Sequence, residues 1–114
     1  MRIALLASAL CAASLAPVAS PAGGSLTAGP ASVPRGGSVT FTGTGCGPSA
    51  RVFLISSLFP GHAYGVGAIA TTARANGSFR SAYRIPRTRK RGTYVVTVRC
   101  GGGNLGVAVT IHVR

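Results

Sequence analysis

The chain has 114 residues, of which 12 are Lys or Arg and none is Asp or Glu, so its formal net charge is +12. Without carboxylate side chains it can form neither a Ser-His-Asp triad nor an acid–base pair of carboxylates, and it lacks the ligands that calcium and magnesium prefer. We therefore predict a protein that is not an enzyme and has no cofactor and no metal. A chain without internal counter-charges is attracted to anionic partners.

The first segment, residues 1–22, is typical of a signal peptide. After a positive start, residues 3–15 are uncharged and mostly Ala and Leu, and Pro17 breaks any helix before the small residues 20–22. The apolar run is too short for a bilayer, which takes about 20 residues. We predict cleavage at this point and an exported domain over residues 23–114, with no transmembrane segment.

Cys11 gives a second interpretation of the same segment, because the Cys at the cleavage site of a lipoprotein is acylated. Leu10 precedes it, where the lipoprotein motif has a small residue, and Cys11 lies within the apolar run rather than at its end. The pattern favours a signal peptide without lipidation.

The rest of the chain alternates short apolar–polar runs with Gly, Pro, Ser and Asn, which is typical of short strands in a sandwich or barrel. Asn76-Gly77 is the strongest hairpin signal, because both residue types tolerate positive φ. Period-two alternation indicates sheets with one buried face, and two such sheets predict an all-β, immunoglobulin-like Greek-key sandwich with one disulfide. About seven strands are predicted, at residues 25–28 with a continuation at 31–33, then 38–44, 51–57, 66–74, 78–85, 93–100 and 106–113.

Two cysteines support this topology. Cys46 follows the second predicted strand and Cys100 closes the sixth. In a Greek-key sandwich these strands run the same way in opposite sheets, so their C-terminal ends meet. In an exported domain this relation favours a disulfide over two free buried thiols, with Cα atoms about 4.4–6.8 Å apart.

Three stretches carry a family resemblance: ASVPRGGSVTFTGTG at residues 31–45, TTARANGSF at 71–79 and GTYVVTVRC at 92–100. They resemble secreted actinobacterial immunoglobulin-like domains and, in part, the neocarzinostatin-like chromophore-binding apoproteins. The resemblance implies the sandwich fold and, through the apoproteins, carriage of a small ligand. Those apoproteins have a second disulfide and an extra hairpin that shape the ligand cleft, whereas this chain has one usable cysteine pair.

A basic cluster lies between the fifth and sixth predicted strands, where four positive side chains fall within five residues: Arg87, Arg89, Lys90 and Arg91. They are the candidate residues for binding an anionic partner. That partner would be teichoic acid, acidic glycan, membrane head groups, nucleic acid or an acidic protein. A solvated charged loop is the alternative. Nucleic-acid binding would require aromatic platforms among the basic groups, and the sequence shows no such motif.

Phe59, His62 and Tyr64 form an aromatic group in the connection between the third and fourth predicted strands. Their position favours a cap at the end of the sandwich, and the alternative is that they are ligand contacts. The sequence therefore predicts a secreted, non-catalytic interaction or structural module, associated with the cell wall through its charge. The alternative is a small-ligand carrier, which a deep apolar cleft between the sheets would favour, whereas a filled core would favour the module.

Overall fold

The computed structural model describes residues 24–101 and 103–114, which form two β-sheets and one 3-10 turn at Ala63–Gly65. The predicted signal peptide and Cys11 lie outside the described residues. Within those residues, no helix has the length and hydrophobicity needed to cross a lipid bilayer. The eight strands are β1 (Ser25–Gly29), β2 (Ser32–Val33), β3 (Ser38–Thr44), β4 (Arg51–Ser56), β5 (Gly67–Thr72), β6 (Phe79–Arg84), β7 (Gly92–Cys100) and β8 (Gly103–Val113).

The strand order is β1-β3-β6 in one sheet and β2-β8-β7-β4-β5 in the other. Strand β2 pairs with β8 in parallel, and the other hydrogen-bonded pairs are antiparallel. The chain crosses between the sheets from β3 to β4, from β5 to β6 and again from β6 to β7. This Greek-key arrangement confirms the predicted all-β sandwich.

The N-terminal strand differs from its prediction in one respect. Its continuation at Ser32–Val33 is a separate strand that pairs with the opposite sheet. Pro30 lies between the two parts, and because proline has no N–H it interrupts the hydrogen-bond ladder. At this interruption the chain passes from the three-stranded sheet to the five-stranded sheet.

The Asn76-Gly77 turn is present, but the hairpin prediction is wrong, because the flanking strands β5 and β6 belong to different sheets. Gly77 alone of the pair has positive φ, at 84°. The Asn76 side chain instead accepts a hydrogen bond from the backbone N–H of Ser78, at 3.0 Å. Asn is therefore used for its side-chain acceptor rather than for its tolerance of left-handed backbone.

The disulfide prediction is confirmed. Cys46 and Cys100 are bonded, and their Cα atoms lie 5.8 Å apart. Cys46 follows β3 in one sheet and Cys100 ends β7 in the other, so the bond ties the two sheets together at one end of the sandwich. We call this end the disulfide pole.

The inward side chains of both sheets fill the space between them. Along β3, buried residues alternate with exposed or half-buried ones, as predicted. Along β4, buried residues alternate mainly with half-buried ones. Tyr83 and Tyr94 are half-buried and pack against the edge of this core. The largest fully buried side chains are Phe41, Phe79, Leu54, Leu58, Ile85, Ile111, Val33, Val39, Val52, Val96 and Val98.

Tyr94 links the core to the basic cluster, because its hydroxyl donates a hydrogen bond to the backbone carbonyl of Lys90. Tyr94 lies near the start of β7, the sixth strand of the prediction, and a tyrosine with this contact at this place is typical of immunoglobulin-like sandwiches. The contact holds the chain between β6 and β7 in place.

We expect Tyr94→Phe to lower the free energy of unfolding by about 1 kcal/mol, because it removes one intramolecular hydrogen bond. Urea denaturation measures the change. Tyr64→Phe is the matched control, since Tyr64 is exposed and its ring lies outside the core. Equal effects of the two substitutions would contradict the role given to the Tyr94 hydroxyl.

Candidate anion-binding site

Most of the positive charge lies at the end of the sandwich opposite the disulfide. Strands β3 and β7 begin there, and β6 and β8 end there, so the 34–37 turn and the 85–91 loop meet. We call this end the cationic pole. Seven of the 12 basic residues belong to it, namely Arg35, Arg84, Arg87, Arg89, Lys90, Arg91 and Arg114.

Four of these arginines line one surface cleft of about 300 Å³ beside Pro34. Arg87 and Arg91 come from the predicted basic cluster. Arg35 and Arg114 come from two other segments, and sequence analysis missed both. Their convergence is produced by the parallel pairing of β2 with β8, which places the start of the 34–37 turn next to the end of β8.

The 34–37 turn and the 85–91 loop are fixed to each other by two backbone hydrogen bonds. Gly36 N–H donates to the carbonyl of Ile85 at 2.7 Å, and Ile85 N–H donates to the carbonyl of Gly37 at 2.7 Å. Gly36 has φ of 85°, and a Cβ at this position would lie 3.3 Å from Cγ and Cζ of Arg87. The missing side chain therefore leaves the space in which Arg87 lies against the turn.

Hydrogen bonds to neutral groups hold two arginines of the cationic pole, one inside the cleft and one outside it. Arg114 Nε donates to Ser32 Oγ at 3.0 Å. Arg84 Nη1 donates to the carbonyl of Gly36 at 2.8 Å. Because these acceptors carry no charge, they orient the guanidinium groups without neutralising them.

The electrostatics of the cleft favour an anion. The chain has no Asp or Glu, so no acidic side chain can neutralise the four guanidinium groups. Like charges at short range repel each other, and a bound anion relieves that repulsion. A guanidinium group matches phosphate and carboxylate oxygens with two parallel hydrogen bonds. The cleft therefore suits an oxyanion of the phosphate, sulfate or carboxylate type.

The other two residues of the predicted basic cluster lie outside this cleft. Lys90 is exposed, and its backbone carbonyl accepts the hydrogen bond from Tyr94. Arg89 is half-buried and lines a separate surface cleft with Phe59 and His62. The buried Nε of Arg89 has no hydrogen-bond partner among the described residues.

The predicted aromatic group is also divided. Phe59 is 3% exposed and packs edge-to-face against Phe41 and Tyr83, with ring centroids 5.8 and 4.9 Å apart. His62 is exposed. Tyr64 lies on the outer face of the five-stranded sheet, in a different cleft from the other two. Phe59 therefore caps the core, and the three residues do not form one ligand pocket.

Comparisons with known proteins add little to this geometry. No protein-family model matches the chain, and no curated protein matches it. Among solved structures, it is similar to Pseudomonas fluorescens alkylpurine DNA glycosylase AlkC bound to DNA containing an abasic site analog. The TM-score is 0.48 and the identity 21%, over 82% of this chain and 31% of that one. The chain thus spans about a third of the glycosylase, and the similarity carries no argument about function.

Proposed function

We propose that this chain is an exported, non-catalytic binding module that adsorbs to anionic polymers of the cell envelope through its cationic pole. The observation that carries the proposal is the cleft formed by four arginines in a chain without an acidic side chain. The signal-peptide pattern of residues 1–22 supports export. The disulfide is of the kind that forms in oxidising compartments outside the cytosol.

Adsorption of this kind needs several charge contacts rather than one precise pocket. Each exposed contact is weak in water and is screened beyond about 8 Å at physiological salt. A polyanion that contacts several arginines releases condensed counterions, and this release gives useful affinity without exact geometry. Repeating phosphate or carboxylate groups of an envelope polymer fit this mode of binding.

The packing of the core favours this module over a small-ligand carrier. Phe41 and Phe79 of one sheet and Leu54 and Ile111 of the other are fully buried in the space where a carrier would hold its ligand. The clefts at the cationic pole are open to solvent, which suits an extended polymer.

We expect retention on purified cell walls to fall steeply with added salt. With four phosphate contacts, a fourfold rise in salt should weaken binding roughly 50- to 150-fold. Arg87→Ser combined with Arg91→Ser should weaken retention and reduce the salt slope by about 1.5. Co-sedimentation over a salt series measures both quantities.

The matched control is Arg74→Ser combined with Arg80→Ser. It removes the same charge from exposed positions outside the cationic pole, so we expect nearly unchanged retention. Equal weakening by both pairs would show that net charge acts without a site. Absence of retention by the wild type at low salt, or unchanged retention at high salt, would refute the proposal.

A further inference from the structure

A second group of cations lies far from the cationic pole, on the outer face of the five-stranded sheet. Phe53 of β4 and Arg99 of β7 are register partners. Both point outward, because Val52, Leu54 and Val98 beside them are buried and Cys100 packs against the core. The connection between β4 and β5 brings Tyr64 over this face, with its ring centroid 5.8 Å from that of Phe53. We call Arg51, Phe53, Tyr64 and Arg99 the aromatic platform.

Each ring of the platform is paired with a guanidinium group. Cζ of Arg99 lies 5.3 Å from the Tyr64 centroid, and Cζ of Arg51 lies 5.7 Å from the Phe53 centroid. Both distances are within the range of about 6 Å for cation–π contacts. The four residues line an open cleft of about 310 Å³, which Gly101 and Gly103 border without side chains. The platform is therefore accessible to a flat group.

The backbone of Tyr64 supports a binding role for its ring. Its φ of 58° and ψ of 27° lie in the left-handed region, which Gly and Asn adopt more easily than Tyr. The residue is 54% exposed, so its burial gives little stabilisation in return. Strain at an exposed aromatic residue is the kind of outlier that marks functional positions.

We propose that the aromatic platform binds single-stranded nucleic acid, with a base stacked on Tyr64 and adjacent phosphates on Arg99 and Arg51. Stacking rings beside cations, in an open groove, is how proteins bind single strands without sequence preference. No acidic side chain in the chain opposes the phosphates. The platform lies near the disulfide pole, so the inference is independent of the function proposed for the cationic pole.

The test compares two fluorescent oligonucleotides of equal charge, a (dT)12 strand and a 12-unit abasic strand with the same phosphodiester backbone. Fluorescence anisotropy with the folded, disulfide-bonded protein at 0.1 M salt gives both affinities. We expect the wild type to bind (dT)12 about tenfold more tightly than the abasic strand, because the stacking of one base on an aromatic ring accounts for a difference of this size. Tyr64→Asn, which suits the left-handed backbone, should remove this preference, and Tyr64→Phe should retain it.

The pair Arg87→Ser with Arg91→Ser should keep the preference for bases, since it alters only the cationic pole. Affinity for the abasic strand reports general polyanion binding, whereas the ratio of the two affinities reports the platform. Failure of the proposed function would thus leave the ratio unchanged. The inference is overturned if the wild type binds neither strand, if it binds both equally, or if Tyr64→Asn keeps the preference.

Discussion

Replacing Cys46 and Cys100 by Ala should lower the free energy of unfolding by about 4 kcal/mol. The bond joins residues 54 positions apart, and loop-closure entropy predicts a contribution of this size for a loop of such length. For a domain of this size the loss corresponds to a fall in Tm of about 20 °C. Thermal unfolding followed by circular dichroism measures it.

The control for the disulfide prediction is the wild-type protein in a reducing agent. It should unfold at nearly the same temperature as the double variant, because both lack the covalent link. A fall in Tm of the double variant without a matching fall in the reduced wild type would point to lost packing of Cys46, which is buried. A loss below about 1 kcal/mol, far under the usual range of 2–5, would contradict the prediction.

Phe59→Ala should lower the free energy of unfolding by about 3–5 kcal/mol, the usual cost of removing a buried phenyl ring. Phe59 is 3% exposed and contacts two other rings edge-to-face. Urea denaturation at constant m-value measures the loss. A ring that served mainly as an exposed ligand contact would cost far less stability when truncated.

His62→Ala is the matched control, because it truncates an exposed ring in the same connection. We expect a change within about 0.5 kcal/mol, as for most surface substitutions. Similar losses for the two variants would mean that the connection as a whole, rather than the Phe59 ring, stabilises the core.

Local patterns were sufficient to predict the strands and the disulfide. The alternation along β3, β7 and β8 is a property of neighbouring residues, and it reports directly which face is buried. The cysteine pairing followed from strand direction in the predicted Greek-key topology together with the predicted export. The Asn76-Gly77 signal shows the limit of such patterns, because a turn motif specifies the bend without specifying whether the flanking strands pair.

The candidate site could be predicted only in part, because its assembly depends on contacts between distant segments. Arg87 and Arg91 stand out as part of a charge cluster, whereas Arg35 and Arg114 reach the same cleft through the pairing of β2 with β8. Phe59 lies outside the regular alternation, so the sequence favoured a cap but left open a ligand contact, and in the structure its ring turns into the core. A connection between strands has no repeating apolar pattern, so its sequence does not show which way a side chain points.

Strand β7 connects the two ends of the molecule mechanically. It is hydrogen-bonded to β4 on one side and to β8 on the other. Its first residues follow the arginine cleft, and its last residue is covalently tied to the opposite sheet. A force applied by a tethered ligand at Arg91 would therefore load the hydrogen bonds on both sides of this central strand together, in shear. An edge strand, in contrast, would separate from its sheet one hydrogen bond at a time.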